Sequence, residues 1–175
     1  MNTSQIVWWV IGAVLLFWIV GAYNRLVRLR GDIVQRFPPV DEQMTLRHGL
    51  LQRQIEAVAR ALPEATPRID VLRAACQQVE AACTHARKRP GAAGAITSLR
   101  LADDILGEAR ARLPVQSVAG LDLSELNAQL TASDATLAFA RRQFNEAVMV
   151  YNAAVNQFPT LLIVGLFGFR SAGTL

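Results

Sequence analysis

The sequence is poor in the residues that perform chemistry. It holds two cysteines and two histidines among 175 residues. Cys76 and Cys83 stand seven apart on one helical face, without further thiols at ligand spacing and with His85 off that face. They read as small packed hydrophobes kept as thiols in a reducing cytoplasm, so no metal is expected. His48 reads as a core histidine, and Asp103-Asp104 with Glu108 as a solvated helix flank. Glycine-rich phosphate loops, nucleophile elbows and HExxH patterns are all missing. With no nucleophile, base or metal to name, the expectation is a protein that is not an enzyme and takes no cofactor. Aromatic residues do not interleave with basic ones as stacking platforms, so no nucleic-acid partner is expected. Runs of β-branched residues are scarce beyond the N-terminal stretch, while Ala, Leu, Arg, Gln and Glu abound. That composition predicts an all-α fold.

Charged side chains are missing from the first 24 residues altogether. Within them Ile6–Ala22 is almost purely apolar, and 17 helical residues reach roughly 25 Å, close to the thickness of a hydrocarbon core. Trp8, Trp9 and Trp18 lie toward its two ends, as interfacial anchors do. Arg25, Arg28 and Arg30 follow at once, then Arg36. Their expected partner is anionic membrane lipid, and the positive-inside rule puts the N-terminus outside and the remainder in the cytoplasm. A signal peptide cleaved after Val20-Gly21-Ala22 is the alternative; it would release a periplasmic helical protein. The expected organisation is a transmembrane anchor over 1–24, a helical domain over 25–158 and an apolar tail over 159–175.

Beyond the anchor, apolar residues recur every three or four positions. Leu26, Leu29, Ile33, Phe37, Val40, Met44, His48, Leu51, Ile55, Val58 and Leu62 form one stripe, the seam of a bundle helix. Pro38-Pro39 interrupts the backbone bonding but not the phase, which predicts one long kinked helix; a hairpin with a new helix starting at the prolines is the alternative. Pro63 ends it, and Thr66 before Pro67 is a candidate N-cap. A second helix to about Lys88 is seamed by Ile69, Leu72, Cys76, Val79 and Cys83. A third is seamed by Ile96, Leu99, Ala102, Leu106, Ala109 and Leu113, and Pro114 stops it. After the connection Val115–Leu121, a fourth starts near Asp122 and runs to Phe158, seamed by Leu123, Leu126, Leu130, Ser133, Leu137, Ala140, Phe144, Val148, Tyr151, Val155 and Phe158. The expected architecture is an N-terminal transmembrane helix continuing into an antiparallel up-down four-helix bundle with long first and last helices.

Three blocks resemble the LemA family of bacterial membrane-anchored proteins. They are Tyr23-Asn24-Arg25-Leu26-Val27-Arg28-Leu29-Arg30; Val40-Asp41-Glu42-Gln43-Met44 with Arg47-His48-Gly49-Leu50-Leu51; and Phe139 to Val148, then Tyr151-Asn152, Phe158-Pro159 and Gly165 to Phe169. Pro38-Pro39, Gly49 and Gln52 depart from the family pattern. The resemblance implies an anchor with its N-terminus outside the bacterial inner membrane and an antiparallel helical bundle. It implies no defined biochemical role, although one branch is associated with magnetosome membrane organisation and others occur near membrane proteases.

Helices two and three are too short to cover one and four. The seams Leu26 to Phe37 and Phe144 to Phe158 are therefore expected to be partly exposed, a stalk for homo-oligomerisation or for docking a membrane protein. Tyr23, Asn24, Tyr151 and Asn152 are expected to meet near the membrane, as a polar clamp or as a ligand site. Leu161, Leu162, Phe167 and Phe169 would either dip into the interface or cover the stalk. The leading functional expectation is a membrane-anchored scaffold or adaptor. A regulatory subunit or substrate presenter for a membrane enzyme, such as a protease, is the alternative.

Overall fold

The computed structural model describes residues 3–113 and 123–175. Pro114, the connection Val115–Leu121 and the expected helix start at Asp122 lie outside the described residues. Five α-helices are present among them and no strand: α1 (Thr3–Ala61), α2 (Thr66–Lys88), α3 (Ala93–Ala111), α4 (Ser124–Asn156) and α5 (Thr160–Phe167), with a 3₁₀ turn at Pro63–Ala65 before α2.

α1 is 59 residues long and contains Pro38 and Pro39. Each proline removes one helical donor and crowds the carbonyl four residues back. Both rings lie on the exposed side, as do Val34 and Gln35, whose carbonyls lose their partners, so water can reach those groups. The flanking Phe37 and Val40 are buried. Burial of the stripe on one side and solvation of the defect on the other let the helix run through. The division at 24/25 therefore falls inside one continuous helix. Its N-terminal part has an 18-residue window of mean hydropathy 2.2, none of it buried against the chain.

Side-chain pairs give the direction of each packing. Asp41 meets Arg87, Met44 meets Cys83 and His48 faces Glu80, so α1 and α2 are antiparallel. Phe37 packs edge-on against Phe144, and Gln54 donates to Asn127, so α1 and α4 are antiparallel too. Arg110 pairs with Asp134 and Asp103 with Arg141, which sets α3 antiparallel to α4. The predicted seams supply the core: Leu26, Ile33, Phe37, Met44, Leu51, Ile55, Ile69, Leu72, Leu99, Leu130, Leu137 and Phe144 are all buried.

Three expectations are corrected. Thr66 is the first residue of α2 and not its cap; the 3₁₀ turn already places Ala65 in helical geometry, and the Thr66 hydroxyl donates to the Pro63 carbonyl. Phe158, expected on the seam, is exposed because α4 ends at Asn156. The stalk seam is not exposed: Leu26, Ile33, Phe144, Val148, Tyr151 and Val155 are all buried.

The last correction follows from lengths. α4 reaches ~50 Å, against ~35 Å for α2 and ~28 Å for α3. The uncovered end of α4 is closed by residues 168–175, which fold back along it. Gly168 makes the reversal with a left-handed backbone (φ 68°). Gly173 then approaches the start of α3 so closely that a Cβ would sit 2.9 Å from the Ala93 carbonyl oxygen and 3.0 Å from its Cα. Backbone cannot yield as a side-chain tip can. Gly173→Ala is expected to destabilise the docked segment by ~1–3 kcal/mol, read as faster hydrogen exchange of the Ala172 amide.

Cys76 and Cys83 are buried free thiols on the seam. Seven helical residues separate them by ~10 Å, beyond disulfide reach. Burial pushes both thiols up to about 11. Neither should react with a thiol-specific disulfide reagent at pH 8 until the chain unfolds; a fast reaction in the native state would show that the seam opens.

Candidate functional site

The chemistry of this molecule gathers where α1, α4 and α5 meet. Phe37 lies opposite Phe144 and Gln54 opposite Asn127, a step down α4 for every step up α1. The same register sets Asn156, the last residue of α4, beside Arg25. The bundle therefore ends where the charged residues begin. Past Asn156 the chain turns through a cis Phe158–Pro159 peptide, and α5 leaves at 98° to α4. α5 buries Thr160 and Ile163 against the bundle and exposes Leu161, Leu162, Leu166 and Phe167, with Phe158 exposed beside them. Tyr23 of α1 receives its end: the Tyr23 ring is 5.1 Å from that of Phe167 and 5.7 Å from that of Phe169.

From Phe169 the returning segment is held by α4 through its main chain. The Asn152 side chain donates to the Ala172 carbonyl (3.0 Å) and accepts from the Ala172 amide (2.8 Å). Asn145 does the same to Leu175, at 2.7 and 2.9 Å. The Tyr151 hydroxyl donates to the Arg170 carbonyl. The spacing is a matter of pitch. Seven residues of helix rise ~10.5 Å, and three residues of extended chain cover ~10 Å. Two asparagines one heptad apart thus meet two backbone positions three residues apart.

A second polar assembly ties the helices further from α5. Asp103 of α3 is bound on one side by Arg47 of α1 and on the other by Arg141 of α4. Asp134 of α4 takes Arg110 at 2.6 Å and lies 3.6 Å from Arg47. Burial by itself would raise the Asp103 pKa, but the two arginine charges and their hydrogen bonds outweigh it and hold the carboxyl below its usual value. Asp103 is therefore an interior cross-brace and not the solvated flank residue expected. A cleft of about 640 Å³ between Arg110, Asp134, Arg141 and Arg142 opens beside it.

The predicted site residues divide accordingly. Trp8, Trp9 and Trp18 are exposed on the apolar part of α1, and Arg25, Arg28 and Arg30 are exposed just after it. Phe144 and Tyr151 are core residues and offer no interaction surface, because α1 and the returning segment cover them. Tyr23 packs on Phe167 and Phe169, whereas Tyr151 bonds the Arg170 carbonyl. Asn24 is exposed and its side chain makes no hydrogen bond among the described residues, whereas Asn152 clamps the returning chain. Asn145, which completes the clasp, stands in sequence only as part of the block that resembles the LemA family. Its heptad spacing from Asn152 was the available signal. The segment 159–175 also proves to be two things: α5 presents apolar side chains outward, and 168–175 covers the bundle.

No curated protein matches the chain. The sequence model of the LemA family matches residues 37–175, from the middle of α1 through the asparagine clasp to the last residue, and the chain belongs to the LemA family.

Proposed function

We propose that this protein is a non-enzymatic, membrane-anchored scaffold or adaptor that self-associates or docks partner proteins at the cytoplasmic face of the inner membrane. In this reading α1 crosses the bilayer once with its N-terminus outside, and α1–α4 form an antiparallel up-down four-helix bundle beneath it. The observation that carries the proposal is the junction itself. A single unbroken helix joins the apolar segment to the bundle. At the same level α5 turns aside by 98° with Leu161, Leu162, Leu166 and Phe167 exposed. With α1 along the bilayer normal, α5 lies in the membrane plane, where an apolar helix face can enter the headgroup boundary. Two attachments fix the tilt and rotation of the bundle, which a single flexible tether would not. Exposed Trp8, Trp9 and Trp18, with Arg25, Arg28 and Arg30 for anionic lipid, support the same placement.

The surface for self-association is the outer side of the α1–α4 pair, which neither α2, α3 nor the returning segment covers. Leu46, Phe139 and Val150 are each more than half exposed there. Single cysteines at these positions, with Cys76 and Cys83 left in place as buried thiols, are expected to crosslink between copies in native membranes. Cysteine at Arg73, on the outer face of α2, is expected not to. A nitroxide at Leu166 should report interfacial depth in nanodiscs. A fully aqueous nitroxide together with only monomeric products would overturn the proposal, and crosslinks to one other protein alone would move it to the regulatory-subunit reading.

A further inference from the structure

We propose that the cleft between the α2–α3 turn and the returning segment binds a phosphate-bearing anion. This goes beyond the scaffold reading and shares with it only Arg30 and the apolar run of α1. The cleft has a volume of about 690 Å³ and is bounded by α1, the end of α2, the start of α3 and residues 168–172. Arg30, Arg87, Lys88, Arg89 and Arg170 line it, and no carboxylate among the described residues does. Arg87 is committed to Asp41 at 2.7 Å. The other four make no ion pair among the described residues, although they come from three separate parts of the chain. The half-buried Arg47 and Arg141 are answered by Asp103, whereas Arg30, Lys88, Arg89 and Arg170 stand exposed around the cleft. Here four like charges converge on one concavity unanswered. Such an arrangement focuses a positive field and draws in an anion.

The lining favours phosphate over carboxylate. Three of the four uncommitted cations are arginines, whose forked donors suit phosphate oxygens, and four charges call for a multiply charged partner. Gly91, Ala92, Ala93 and Gly94 keep the wall between Arg89 and Arg170 free of bulky side chains. The Ser171 hydroxyl, also at the wall, has no hydrogen-bond partner among the described residues. Arg30 lies ~12 Å along α1 from Ala22, the last residue of the apolar run. That depth admits either a phospholipid headgroup or a soluble polyphosphate.

The test uses the full chain. In nanodiscs of zwitterionic lipid it is titrated calorimetrically with tripolyphosphate, and in detergent micelles native mass spectrometry follows retention of added cardiolipin. One saturable site is expected in at least one arm. Lys88→Glu with Arg89→Glu should weaken it at least tenfold, and Arg170→Gln should weaken it less. Arg60→Glu with Arg112→Glu, an equal charge change on exposed residues at the opposite end of the bundle, should leave it within twofold. Cardiolipin without tripolyphosphate assigns a headgroup site, and the reverse assigns a soluble ligand. Absence of saturable binding in both arms overturns the proposal. So does an equal loss in the Arg60/Arg112 variant, which would reduce the effect to net charge. Circular dichroism of each variant confirms that helix content is retained.

Discussion

Replacing Asn145 and Asn152 together by alanine is expected to free residues 168–175 from α4 and to lower stability by ~3–4 kcal/mol. Four hydrogen bonds are lost, each worth ~1 kcal/mol net. The released segment regains conformational entropy, but it also uncovers the end of α4 and the buried side chains beneath it. Val148, Tyr151 and Val155 then lose part of their cover. The amides of Ala172 and Leu175 should exchange at rates close to those of unstructured chain, while the amides at the centre of α2 and α3 keep their protection relative to global unfolding. Asn152→Ala alone should have the larger single effect, because it acts nearer the Gly168 reversal and beside the Tyr151 bond. Unchanged exchange at Ala172 in the double variant would mean that apolar packing alone holds the segment, and the clasp would then be incidental.

Much of this clasp was out of reach from sequence, for a definite reason. An asparagine that reads backbone has no side-chain complement to reveal it: Ala172 and Leu175 carry nothing that marks them as partners. The apolar run Leu161–Phe169 also masks the change of role at Gly168, since hydropathy does not distinguish an outward-facing helix from the start of a covering strap. Where the signal was periodic, it was legible. The seam from Leu26 to Val58 kept its phase across Pro38-Pro39, and α1 does run through them. The short α2 and α3 were equally plain, but hydropathy left open whether the apolar tail dips into the membrane or covers the stalk, and residues 168–175 cover it. Asp103 was missed because its partners come from helices 56 and 38 residues away in sequence, and an adjacent acid made it look like part of a solvated flank.

That residue supports the last prediction. Asp103→Ala leaves Arg141 without a counter-charge, and Arg47 with only Asp134 at 3.6 Å, across the α1–α3–α4 contact. The side chain of Arg47 is only 11% exposed, and that of Asp103 10%. Removing one partner of a buried pair costs ~3–5 kcal/mol. Arg141 is more exposed and can turn to solvent, so the lower end of that range, ~3 kcal/mol, is expected. Asp103→Asn keeps the volume and one acceptor but not the charge, and should cost less. The acid dependence separates electrostatics from packing. The folded-state pKa of Asp103 lies below its ordinary value of 3.8. The native state therefore holds this proton less tightly than the unfolded chain. The stabilisation from the carboxylate is fully present above the unfolded pKa and is lost as pH falls below ~4 toward the folded value. In denaturant titrations from pH 6 downward, the wild type should lose stability more steeply below pH 4 than Asp103→Asn, so the two curves converge in acid. Parallel curves would show that Asp103 braces the three helices through shape and hydrogen bonding, with its charge contributing nothing.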